Sequence, residues 1–136
     1  MTALYEPCMD EVMTPNPVSI DGGATVSEAR HLMARLGVRH LPVTSDGIVE
    51  GIVNERDIKL FSVPGYQPED ELRLRDISSN RIHFADVEDP LGAVLGEMLK
   101  NHLDAVILLR EGEMAGIFTE ADACRILAKH LGYKLK

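Results

Sequence analysis

Apolar and polar positions along this chain alternate in two registers, one of period two and one of helical period. Val18-Ser19-Ile20 alternates at period two and predicts a short strand, and Asp21-Gly22-Gly23 turns the chain after it. Thr25-Val26-Ser27-Glu28 reads as a capping box, with Thr25 outside a helix that runs to about Leu36. Val26, Ala29, Met33 and Leu36 fall at steps of three, four and three, which predicts its buried face, and Gly37 ends it. His40 to Thr44 and Ile48 to Val53 predict two strands joined through Ser45-Asp46-Gly47, and a further helix runs from Asp57 to about Phe61. Ahead of these, Leu4 to Val12 predicts a short opening helix with Leu4, Cys8 and Val12 on one face. Met13-Thr14-Pro15-Asn16-Pro17 stops it, since two prolines in three residues forbid both a helix and a central strand.

The pattern then repeats. Gly51-Ile52-Val53-Asn54-Glu55-Arg56-Asp57 returns as Gly116-Ile117-Phe118-Thr119-Glu120-Ala121-Asp122, a displacement of 65 residues (116 − 51). The same offset pairs Val12 with Ile77, Thr14 with Ser79, Val18 with His83, Val26 with Leu91 and Met33 with Met98. It also pairs Val43 with Leu108, and Asp46-Gly47 with Glu111-Gly112. The second copy opens its long helix with Asp89 as cap and Pro90 at the first helical position. Val106 to Leu109 predicts a fully apolar, buried strand, Arg125 to His130 extends the last helix, and Lys134 to Lys136 is a loose tail. The fold class is therefore α+β, built from tandem β-α-β-β-α repeats. Repeat one spans 11–62 and repeat two 74–132, with a polar, proline-bearing linker at 63–73, and 1–136 form one module. A half of about 60 residues buries little surface alone. Two three-stranded sheets packed on each other about a pseudo-twofold axis are the expected solution.

Composition narrows the function. Hydrophobic residues make up 45% and charged residues 26%, a soluble globular balance, and no apolar run approaches the length of a membrane helix. Met1 to Pro7 lacks the basic and apolar regions of a secretion signal, so a cytoplasmic location is expected. A net charge of −8, with aromatics at 4% and no Trp, argues against nucleic acid and acidic membranes as partners. Cys8 and Cys124 stand apart with no ligand-spaced neighbours and are expected as free thiols. The chain has no nucleophile elbow, no phosphate loop of Gly-Lys-Ser/Thr type and no metal-spaced histidine pair. No catalytic residue and no metal site are assigned, and the protein is read as not an enzyme.

The repeated turn has two readings. Asn54 and Thr119 cap the helices that follow, and Asp57 and Asp122, three residues on, close the capping box and place negative charge at the positive helix end. The same groups also suit a nucleotide, because a helix N-terminus faces a phosphate and a carboxylate accepts both ribose hydroxyls.

Three stretches resemble the paired cystathionine β-synthase (CBS) domain, the Bateman module: Val12 to Val18, Val38-Arg39-His40-Leu41-Pro42-Val43, and Gly51 to Asp57. Leu74-Arg75-Asp76-Ile77, Leu103 to Ile107 and Gly116 to Asp122 carry it in the second copy, so the resemblance covers about Glu11 to Leu131. It implies two clefts between the halves for an adenosine-containing regulatory ligand: AMP, ADP, ATP or S-adenosylmethionine. Carried over, one cleft would use Thr119 and Asp122 with Thr14, Asn16, Pro17, Val18 and Val38. Asp122 would take the ribose, and the extended backbone of Asn16 to Val18 would read the adenine edge. The other would use Asn54, Arg56 and Asp57 with Arg81, Ile82, His83 and Leu103. Arg39 and His40 lie where the family often places phosphate-facing cations, with Arg56 and Lys59 beside them; His40 reads equally as a strand-edge histidine, and Arg39 and Arg56 equally as surface charges.

This sequence departs from the family pattern at Asn54, where Thr or Ser is usual. Ala121 stands where Arg56 stands and Asp104 where Arg39 stands, so the two clefts are expected to differ, with phosphates favoured near repeat one. The function implied is a non-catalytic sensor, homodimeric through exposed helix faces around Ala34, Gly92 and Gly96, acting on itself or on a partner protein. The alternative is a structural or protein-interaction dimerisation module whose clefts are vestigial.

Overall fold

The 65-residue displacement survives as geometry. In the computed structural model, which describes residues 5–61 and 71–134, the first copy comprises α1 (Met9–Val12), β1 (Thr14–Pro15), β2 (Ile20–Asp21), α2 (Val26–Leu36), β3 (His40–Ser45), β4 (Ile48–Asn54) and α3 (Glu55–Leu60). The second comprises α4 (Leu74–Ile77), β5 (Phe84–Asp86), α5 (Leu91–Asn101), β6 (Ala105–Arg110), β7 (Glu113–Thr119) and α6 (Glu120–His130). Both ends of α1, α2, β3 and β4 coincide with those of α4, α5, β6 and β7 after the shift.

Local chemistry explains the agreement. Thr25 Oγ1 accepts the Glu28 N–H at 3.1 Å and Glu28 accepts the Thr25 N–H at 3.2 Å, so the predicted capping box opens α2. Gly37 (φ 69°) and His102 (φ 54°) end α2 and α5 in the left-handed region. Asp46-Gly47 and Glu111-Gly112 all have positive φ, the two-residue hairpin turn whose twist matches the strands on either side. Both hairpins shift register at the same place, Val43/Thr44 and Leu108/Leu109.

The chain forms two compact units, and these are not the two sequence copies. One runs from Val18 to Ile82; the other joins the residues up to Pro17 with those from His83 onward. The first has a three-stranded sheet, β2-β3-β4, with β2 parallel to β3 and β4 antiparallel to it. Its core is Val26, Ala29 and Met33 of α2 against Leu41, Val43 and Val53 of the sheet, with Ile58 and Leu74. The second has the order β1-β7-β6-β5, and its core sets Val94 and Met98 of α5 against Val106, Leu108 and Phe118, closed by Met9 and Met13.

Each unit takes its opening segment from the other copy, by matching contacts. Thr14 pairs with Ile117 in one unit, and Ser79 bridges Ile52 in the other. The Leu91 N–H donates to the Pro7 carbonyl at 2.9 Å, and the Val26 N–H to the Leu72 carbonyl at 3.0 Å. Cys8 bridges Pro90 as Arg73 bridges Thr25. The exchange gives the second unit a fourth strand where three were expected. Pro15 is tolerated there because β1 is an edge strand, with no second neighbour needing its missing N–H.

Other expectations shift. The opening helix starts at Met9, not Leu4, after Pro7 and Cys8 commit their backbone to α5 (Leu4 lies outside the described residues). The first repeat strand is Ile20–Asp21 instead of 18–20, because β2 pairs with Val43 and Thr44 from Ile20 onward. The second helix starts at Glu55, straight after its Asn54 cap. Pro90, not Asp89, stands at the cap of α5; Asp89 accepts the Asp86 N–H at 3.0 Å, and Glu6 accepts the Gly92 N–H at 2.8 Å. Leu36 is 39% exposed, since the helix ends one residue on and carries it past the sheet. The linker from 63 to 70 and the last two tail residues lie outside the described residues.

Candidate ligand-binding site

Thr119 ends β7 and Asp122 sits in the first turn of α6, so the strand-to-helix switch fixes both. β1 lies against β7 and brings Thr14 to them. Asp122 is 8% exposed, and a carboxylate so placed needs donors. Its Oδ2 accepts the Thr119 N–H at 2.9 Å and the Thr119 hydroxyl at 3.2 Å. Its Oδ1 accepts the Thr14 hydroxyl at 3.3 Å and Arg125 Nη1–H at 2.8 Å. Thr14, Thr119 and Asp122, placed together on sequence grounds, do stand together.

Asn16 follows β1 with φ 48°, a left-handed turn Asn adopts readily, and its N–H donates to the Ala115 carbonyl at 3.0 Å. The expectation of an extended backbone with free polar groups at Asn16 is corrected at this residue: β7 uses that N–H. Pro17 follows in the same unit, whereas Val18 (49% exposed) and Val38 (39% exposed) belong to the other.

The repeat-related turn is built alike and bonded differently. Asn54 Oδ1 accepts the Asp57 N–H at 2.8 Å and Asp57 Oδ2 accepts the Asn54 N–H at 3.4 Å, a complete capping box. Arg56 is exposed. Arg81, also exposed, donates its N–H to Ser79 Oγ at 3.2 Å. Ile82 lies in that same unit, while His83, whose carbonyl accepts the Ile107 N–H at 3.0 Å, and Leu103 belong to the other. His40 starts β3 opposite Asn54.

Two of the cations assigned to phosphate, Arg39 and Lys59, engage an acid of their own. Glu55 takes Lys59 Nζ at 3.0 Å and Arg39 Nε at 3.6 Å. The Lys59 hydrogen bond and charge, then the Arg39 charge, hold the Glu55 carboxyl below its ordinary value. Val38 and Arg39 line a groove of about 380 Å³ with Met33, Ala34, Ile58 and Lys59, between α2 and α3. Asn54 and Asp57 do not line it.

Two features escaped the sequence reading. Arg125, three residues beyond Asp122, supplies the cation that Ala121 lacks; helical spacing was the available signal. Gly51 and Gly116 are sites of close backbone approach. A methyl group on Gly116 would run into Met13 Sδ and lie 3.0 Å from the Thr14 carbonyl, and one on Gly51 would lie 3.0 Å from the Ser79 carbonyl. Gly92 is exposed, as expected of its helix face, and the Glu6 carboxylate lies against it, accepting its N–H at 2.8 Å. Among the described residues no three His, Cys, Asp or Glu side chains gather to hold a metal, no helix is long and apolar enough to cross a membrane, and Cys8 and Cys124 are free thiols.

A tandem-repeat α+β module, each copy closing on a strand, a polar cap and a carboxylate at a helix head, is the class these features define. The chain belongs to the CBS domain family, whose domain matches residues 9–63 and again 74–129. The uncharacterized protein YlbB of Bacillus subtilis is 42% identical over 50 residues, 37% of this chain and 34% of that protein. Similar solved structures include an uncharacterized conserved protein from Pyrococcus horikoshii (TM-score 0.79, 27% identity, 98% of each chain). Another is the CBS domain pair of protein MJ0100 in complex with 5′-methylthioadenosine and S-adenosyl-L-methionine (TM-score 0.81, 18% identity, 93% of this chain and 99% of that one). At 18% identity the last likeness is one of fold.

Proposed function

We propose that this chain is a non-catalytic regulatory module that binds an adenosine-containing ligand. One observation carries the reading: a carboxylate 8% exposed at a helix head, flanked by two threonine hydroxyls from opposite copies. Helix capping alone requires one of those hydroxyls at most. Asp122 takes the ribose hydroxyls, Thr14 and Thr119 orient them, and Asn54, Arg56 and Asp57 form the repeat-related counterpart. The MJ0100 pair, of the same fold, is a complex with two adenosine compounds, which supports the ligand class. A cytoplasmic location and a homodimer formed through the helix faces near Ala34, Gly92 and Gly96 belong to the same reading.

Thermal unfolding with AMP, ATP and S-adenosylmethionine tests it. A ligand at a hundred times its Kd adds about 2.7 kcal/mol, a shift of several degrees. Asp122→Ala should abolish the share of the shift due to that site. No shift with any adenosine compound at millimolar concentration would leave the structural dimerisation role, which the Asn54 capping bond favours for the first copy.

A further inference from the structure

The donors around Asp122 fill it. A carboxylate offers about four acceptor positions, and Thr14 Oγ1, Thr119 N, Thr119 Oγ1 and Arg125 Nη1 occupy them at 3.3, 2.9, 3.2 and 2.8 Å. A ribose diol reaching this carboxylate must therefore displace a donor. The Thr119 N–H is held by the turn itself. Arg125, one helical turn on with a side chain 60% exposed, has room to leave.

We propose that Arg125 is the specificity-determining residue of this site: it stands on Asp122 until a ligand brings an anion of its own, and so selects phosphorylated adenosine over neutral or cationic adenosine compounds. This rests on the adenosine-binding reading above. A neutral diol that displaces the guanidinium breaks a charge-assisted bond and strips a buried carboxylate of its cation. A phosphate on the same ligand gives the guanidinium a new anionic partner, so the exchange costs little. A sulfonium instead sets a second cation beside the released one. The first copy supplies the contrast, because Leu60 stands where Arg125 stands and is 60% exposed.

Isothermal titration of the full chain with AMP, adenosine and S-adenosylmethionine, in an Asp57→Asn background that silences the first copy, is the test. AMP should bind at least about tenfold more tightly than adenosine, the scale of one charge-assisted hydrogen bond. Arg125→Ala should bring the two within about twofold, chiefly by tightening adenosine, and Arg125→Lys should restore part of the preference. A purely structural Arg125 would weaken all three ligands together, leave their ratio unchanged, and overturn the proposal. So would binding that survives Asp122→Ala, which places the ligand elsewhere and leaves the sensor role standing. Silence toward all three ligands in both the parent and Arg125→Ala would remove the sensor reading itself.

Discussion

In the first copy Asn54 spends its side-chain oxygen on the helix, accepting the Asp57 N–H at 2.8 Å; in the second, the Thr119 hydroxyl donates to the Asp122 carboxylate at 3.2 Å. The backbone is the same, with cap φ of −117° and −122°. Both turns close a capping box; what differs is that the Thr119 hydroxyl also donates to the carboxylate, where Thr14 and Arg125 join it. The ion pairs differ as well: Lys59 and Arg39 of the first copy are drawn to Glu55, and Arg125 of the second goes to Asp122. A duplicated turn has thus kept its geometry and divided its chemistry.

The comparison breaks most readily at its shared feature. Gly116→Val and Gly51→Val should each destabilise the chain by about 2–3 kcal/mol, the scale of overpacking, because backbone carbonyls crowd both positions at 3.0 Å. Urea denaturation measures this. A loss confined to one copy would mean that the crossing segments are not equivalent.

A smaller effect separates the caps. Asn54→Ala removes a true cap and should cost about 1 kcal/mol, whereas Thr119→Ala should cost less in stability and more in ligand affinity. Denaturation and titration of the same two variants check the pair of outcomes, and equal stability losses would erase the distinction.

Smallest is the pH response at Glu55. Its carboxyl is held below the ordinary 4.5 by Lys59 and Arg39. The folded pKa is depressed, so the stabilisation is present above the unfolded value and lost as pH falls through the folded one. Unfolding midpoints taken from pH 5 downward should fall more steeply in the parent than in Glu55→Gln. Both partners are exposed to solvent, and added salt should shrink the difference.

Residues close in sequence made most of the architecture legible. The caps at Thr25 and Asn54, the left-handed stop at Gly37 and the Asp46-Gly47 turn all act within four or five residues, and the return after 65 of the Gly51 to Asp57 turn and of the Asp46-Gly47 turn revealed the duplication. Leu36 was misplaced because helical period says which face a residue shares and not where the covering sheet stops. The Asn16 backbone was misread for a related reason: its φ follows from the Ala115 carbonyl, far along the chain.

The amino-acid order by itself determined the repeat, the element sequence and the presence of a polar cap and carboxylate at each helix head, since each is set by neighbours along the chain. The family resemblance had already grouped Thr14 with Asp122, but tertiary structure alone decided that the opening segments change places, that the Thr14 hydroxyl bonds that carboxylate at 3.3 Å across 108 residues, and that Arg125 closes it. Those contacts arise only when distant strands pair, and no local period encodes which strand a segment will join.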